Sequence, residues 1–121
     1  MRKAILDTSS IIFACSYMKD IFEIAEDQLE AKVVVSKGVI RELRGIASGR
    51  TKEGKASRIA LEFMKRHDIE VVEDNGEVDE WILRAGRSEG TYVCTNDIKL
   101  KEALKRKGKR ALSVSESEVL R

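Results

Sequence analysis

Four acidic residues carry the chemistry that this sequence offers. Asp7 follows a short apolar run and opens Asp7-Thr8-Ser9, and Asp97 closes Thr95-Asn96-Asp97 behind another such run. Glu42 and Asp79 lie within stretches of helical periodicity. A solvated carboxylate on a helix usually has a Lys or Arg three or four positions away. Glu42 has Gly38, Val39, Gly45 and Ile46 there, and Asp79 has Asn75, Gly76, Ile82 and Leu83. Both are expected to border an apolar stripe with no local cation, a setting in which a carboxylate needs a partner. Oxygen donors with hydroxyls nearby, and neither His nor Cys among them, suit a hard divalent cation such as Mg²⁺ or Mn²⁺. Asp7 and Asp97 have a second reading, because each is also a residue type that caps a helix N-terminus.

The elements that must position these residues alternate along the chain. Strands are expected at Lys3–Leu6, Lys32–Val35, Ile69–Val72, Thr91–Cys94 and Arg110–Val114, from their β-branched and apolar runs. Between them come helical patterns: Ile11–Cys15, Ile21–Leu29, a stretch after Ser36 carrying Val39, Ile40 and Leu43, then Ala56–Lys65, Val78–Ala85 and Ile98–Lys107. Ser48 to Lys55 reads as a basic, glycine-punctuated loop. Strands alternating with helices imply an α/β fold, a parallel sheet covered on both faces, organised as one domain over residues 1–121. In such sheets ligands gather beyond the carboxyl ends of the strands, near a topological switch point. Asp7 and Asp97 each follow a strand directly.

Composition removes other classes. At 121 residues, with a 42% hydrophobic fraction, the chain has enough apolar content for one ordinary core. No stretch approaches the ~18 apolar residues of a membrane span, and the N-terminal residues lack a signal-peptide layout, so a cytoplasmic location is expected. Cys15 and Cys94 lie in apolar runs and read as reduced, buried thiols. The sole histidine, His67, stands at a helix end and reads as a favourable terminal charge, which leaves nucleophilic triads without a base. The eight glycines form neither GxGxxG nor GxxxxGK[ST], so dinucleotide and P-loop sites are absent. Ser9 stands where a phosphatase-type DxD would need its second acid, and a receiver domain would need paired acids beside Asp7.

Lys and Arg exceed Asp and Glu by only two, so contact with a polyanion requires local clustering. Two stretches cluster: Arg41, Arg44, Arg50, Lys52, Lys55 and Arg58, and Lys99 through Arg110 with Glu102 the one acid within it. The first adjoins the acidic residues, so Arg41, Arg50, Lys52 and Lys55 are the expected substrate contacts. An aromatic content of 5% leaves little for base stacking.

The segments Ala4–Ile12, Val33–Leu43, Val78–Leu83 and Val93–Asp97, in that order over nearly the whole chain, resemble a PIN-domain ribonuclease. The Thr-Asn-Asp run followed by a basic helix is similar to the branch shared by VapC-type toxins and the PIN domains of ribosomal-RNA processing. The resemblance implies a three-layer α/β/α sandwich with strand order 3-2-1-4-5. It implies Asp7, Glu42, Asp79 and Asp97 as catalytic metal ligands for Mg²⁺ or Mn²⁺, with Thr8, Ser9, Thr95 and Asn96 supporting them. It further implies endonucleolytic hydrolysis of RNA leaving 5′-phosphate and 3′-hydroxyl ends. The partners it implies are RNA, an antitoxin protein or a pre-ribosomal particle, and a second copy as homodimer. A catalytically inactive RNA-binding or scaffold module is the alternative.

Overall fold

A computed structural model describes residues 1–118 together with Leu120 and Arg121. The sheet has four strands, β1 (Lys3–Leu6), β2 (Lys32–Ser36), β3 (Glu70–Val72) and β4 (Thr91–Cys94), all parallel, in the order β3-β2-β1-β4. Six helices connect or flank them: α1 (Thr8–Ser16), α2 (Ile21–Leu29), α3 (Lys37–Ala47), α4 (Lys52–Met64), α5 (Val78–Ala85) and α6 (Ile98–Arg106). Alternation along the strands decides the layers. Ala4, Leu6, Val33 and Val35 face one side and pack with α1, α2, α3 and α4, around Ile11, Phe22, Val39, Leu43 and Ala60. Ile5, Val34 and Val93 face the other side and pack with Ile82 of α5 and Leu100 and Leu104 of α6. The result is an α/β/α sandwich whose strands are buried on both faces.

Two expectations about boundaries need correction. Arg110–Val114 is not a ladder strand. Leu112 bridges Cys94 in parallel, giving its amide to Val93 O and accepting from Thr95 N, both at 2.8 Å. At Val114 the Asn96 side chain stands in for a neighbouring strand, accepting the Val114 amide and donating to its carbonyl, each at 3.1 Å. The fifth position of the expected order is thus filled beside β4 by one bridge and one amide side chain. The basic loop is also shorter than expected. Thr51 accepts from Gly54 N at 2.9 Å, so α4 begins at Lys52 and takes in Lys52 and Lys55.

Two glycines fix how elements approach. At Gly38, in the first turn of α3, a Cβ would stand 2.3 Å from Asp74 Oδ2 and 2.5 Å from Val78 Cγ2. At Gly86, after α5, it would stand 2.5 Å from Val93 Cγ2. Cys15 and Cys94 are buried and unpaired, and burial pushes both thiols up to about 12. His67 does more than end a helix. It is half-buried between two carboxylates of another element, with Nε2 2.8 Å from Asp20 Oδ2 and Nδ1 paired with Glu26. Among the described residues no helix is long and apolar enough to cross a membrane.

Candidate active site

β1 has β2 on one side and β4 on the other, so the chain changes direction across the sheet between β1 and β4. The carboxyl ends of those two strands deliver Asp7 and Thr95-Asn96-Asp97 to one crevice. A cleft of about 370 Å³ opens there, lined by Asp7, Thr8, Ser9 and Asp97, by Glu42 and Ile46 of α3, by Val78 and Asp79 of α5, and by Ile12. No Lys, Arg or His contributes to that lining.

Asp7 is the buried member, 6% exposed. It caps α1, accepting from Ser10 N at 3.0 Å. Its carboxylate also accepts from Ser9 Oγ, at 2.9 and 3.0 Å to its two oxygens, and from the Thr95 hydroxyl. Burial pushes the Asp7 carboxyl above its usual range, against the opposing pull of Thr95, Ser10 and Ser9. Both readings of Asp7 therefore meet in one side chain: it caps a helix, and it holds a buried carboxylate with hydroxyl and amide donors but no cation.

The hydroxyls weld the two strand ends together. Ser9 Oγ donates to Asp7 and accepts from Asn96 N at 3.0 Å. Thr95 Oγ1 donates to Asp7 and accepts from Asp97 N at 3.0 Å. The Asn96 side chain bonds the Val114 backbone, while Thr8 lines the cleft at the start of α1.

Glu42, Asp79 and Asp97 are exposed. Glu42 and Asp79 do border their apolar stripes, but their carboxylates are solvated rather than buried in need of a partner. They stand at the edges of their stripes, where the side chains reach the rim of the cleft, and they share a second, shallower depression with Gly76, Glu77, Val78 and Glu80. Asp97 caps α6, its Oδ1 accepting from Lys99 N at 2.8 Å and Leu100 N at 3.2 Å. Among the described residues no three Asp, Glu, His or Cys side chains stand close enough to hold one ion between them. The four acids surround a common cleft without forming a closed cage. The donor set still fits a divalent cation: every polar group on the lining is an oxygen, four are carboxylates, and no cation neutralises them.

Asp74 is a residue that the sequence reading missed. It is 1% exposed and accepts from Gly38 N at 2.9 Å and Gly76 N at 3.0 Å. Burial raises its carboxyl, but the Ser36 hydroxyl, those two amides and the Arg41 guanidinium outweigh it and leave the group below its usual range. Asp74 thus ties the start of α3 to the turn before α5, the two helices that carry Glu42 and Asp79. The signal was Asp-x-Gly at 74–76, an Asx-turn spacing.

The basic residues divide differently from expectation. Arg41 is exposed, on the helix that carries Glu42. Lys52 and Lys55 border a separate groove with Tyr17 and Met18, at the end of α1 away from Asp7. Arg50 is exposed in the turn between α3 and α4.

Fold and site together define an α/β sandwich with an acid-lined, cation-free cleft at the switch point of its sheet. The chain belongs to the PIN-like domain family, whose model matches residues 4–116. Ribonuclease VapC9 of Archaeoglobus fulgidus is 29% identical over 109 residues, covering 89% of this chain and 79% of that protein. The PIN domain endonuclease Utp24 superposes with a TM-score of 0.73 at 28% identity, over 93% of this chain and 85% of that one. A domain of a functionally unknown protein from Methanocaldococcus jannaschii shares the fold, with a TM-score of 0.63 at 20% identity over 95% of this chain and 92% of that one.

Proposed function

We propose that this chain is a divalent-metal-dependent endoribonuclease, with Asp7, Glu42, Asp79 and Asp97 as the groups that hold Mg²⁺ or Mn²⁺. The observation that carries the reading is the cleft lining: four carboxylates from four separate segments, with no positive side chain among them. Membership of the PIN-like family, and relatives named as a ribonuclease and an endonuclease, support nuclease chemistry at the family level.

A bound divalent ion supplies charge neutralisation at a phosphodiester and lowers the pKa of a coordinated water. The chain's own residues do the rest. Ser9 and Thr95 hold the Asp7 carboxylate in one orientation by hydrogen bonds. Asp74 sets the spacing of α3 and α5, and so of Glu42 and Asp79. Glu42, Asp79 and Asp97, exposed on the cleft lining, would hold the ion together with Asp7. Asp97 keeps α6 capped through Oδ1, which leaves its other oxygen for the cleft. Arg41 is the proposed phosphate contact at the rim, whereas Arg50, Lys52 and Lys55 meet RNA only outside the cleft.

The test is cleavage of a labelled RNA with Mn²⁺, with Mg²⁺ and with EDTA, run beside Asp7→Asn and Asp97→Asn. Internal cleavage that requires the ion and is lost in both variants is the expected result. RNA binding without cleavage under either ion refutes the enzyme and leaves an inactive RNA-binding module. Growth arrest relieved by an antitoxin marks the toxin role, and co-purification with pre-ribosomal particles marks rRNA processing.

A further inference from the structure

A second groove is larger than the acidic cleft. It measures about 620 Å³ and runs between α6 and the segment after it, lined by Lys101, Lys105, Lys109, Arg110 and Arg121, with Glu102 its one acid. None of the ion pairs among the described residues involves any of these five cations. Five positive charges around one groove, on a chain whose net charge is +2, are a strong local concentration.

The groove is coupled to the acidic cleft. Asp97 lines the cleft and the next residue, Ile98, lines the groove while 71% exposed. A hydrogen-bonded chain also joins them. Lys101 Nζ donates to Ser113 Oγ at 2.8 Å, Ser113 Oγ donates to Thr95 O at 3.0 Å, and Thr95 donates to Asp7. Lys109 Nζ donates to Thr91 O, so two of the lysines are anchored to neutral groups rather than to carboxylates. No aromatic side chain lines the groove, which removes base stacking as the source of affinity.

We propose that this groove is the track for the sugar–phosphate backbone of one RNA strand, leading past Ile98 and Asp97 into the carboxylate cleft. The proposal rests on the nuclease reading for its destination, and it names the α6 side as the entry, where the sequence had favoured the α3–α4 loop. Recognition is by phosphate charge and spacing, so binding is weakly sequence-dependent and strongly salt-dependent.

For a single strand, each neutralised phosphate contributes about 0.7 to the slope of log K against log salt, or roughly fourfold in affinity near 0.15 M. The variant Lys105→Ala/Arg110→Ala/Arg121→Ala removes three exposed charges whose side chains make no hydrogen bond or ion pair among the described residues. Binding of a fluorescein-labelled single-stranded oligoribonucleotide, measured in EDTA to prevent cleavage, should weaken about 50-fold, and the slope should fall by about 2. The charge-matched control Arg2→Ala/Lys65→Ala/Arg66→Ala should stay within about twofold of the parent. Melting temperatures confirm that both variants fold. Equal losses in the two variants, or none in the first, overturn the track. Tighter binding of a polyglutamate peptide than of the RNA also overturns it, and assigns the groove to an acidic protein. RNA bound through the groove but uncut under Mn²⁺ keeps the track and refutes the nuclease. Cleavage by the groove variant with an unchanged KM keeps the nuclease and refutes the track.

Discussion

Replacing Asp7 with asparagine separates what this residue does for the fold from what it does for an ion. Asn caps helices as well as Asp does, so the bond from Ser10 N survives the change. The Thr95 hydroxyl, which donates to the carboxylate, can turn and accept from the new amide. The change also removes a carboxylate whose ionisation burial opposes. Metal-free Asp7→Asn should therefore lie within about 1 kcal/mol of the parent. For 121 residues, at roughly 2.1 cal/mol/K each, that is about 4 °C in Tm. Asp7→Ala loses the cap, ~1 kcal/mol, and strands buried donors at a further ~1–3 kcal/mol, so its Tm should fall by about 8 °C or more. Added Mn²⁺ at about 100 times its Kd should stabilise the parent by about 2.7 kcal/mol, close to 10 °C, and leave both variants unmoved. Scanning fluorimetry in EDTA and in Mn²⁺ reads all of these. A Mn²⁺ shift that persists in Asp7→Asn refutes the assignment, and so does an Asn variant as unstable as the Ala variant, because the Asp7 carboxylate would then be holding the fold rather than an ion.

Three further outcomes follow from the geometry. Gly38→Ala drives a methyl into Asp74 and Val78 and should cost about 1–3 kcal/mol in urea unfolding, with weaker Mn²⁺ binding as α3 and α5 shift; an unchanged midpoint contradicts the tie through Asp74. Gly86→Ala meets Val93 and the Ile82 carbonyl and should cost a similar ~1–3 kcal/mol, but without any change in ion affinity relative to its stability. His67 supplies the pH dependence: burial lowers its pKa, but Asp20 and Glu26 outweigh this and hold it above 6.5. A raised histidine favours the protonated fold, so its contribution is complete below pH 6.5 and fades as pH rises through the folded value. Tm profiles should decline across that window in the parent and flatten in His67→Gln; parallel profiles remove His67 from the account.

What the sequence made legible was whatever depends on short range. Val33, Val34 and Val35 announce a doubly buried strand, and Asp7, Ser36 and Asp97 sit at N-caps that the following periodicity marks out. The obscured features depend on distant partners. Arg110–Val114 has the composition of a strand, yet its pairing at Val114 is taken over by the Asn96 side chain, which no periodicity reveals. Asp74 reads as a turn residue because its burial is created by Gly38, 36 positions earlier in the chain. Lys52 and Lys55 look adjacent to Glu42 in sequence, but the turn before α4 carries them to the far end of α1. Glu42 and Asp79 were singled out for missing helical counter-charges, and that pattern does mark side chains at a shared cleft, although exposed ones.

The central claim is that these carboxylates take a divalent ion between them. Crystals soaked in Mn²⁺, with the ion located by anomalous scattering, address it directly. A manganese peak is expected in the cleft, bound by Asp7 and by at least two of Glu42, Asp79 and Asp97, with the exposed side chains rotated inward. A cleft empty at saturating Mn²⁺, or manganese only at other surface carboxylates, contradicts it.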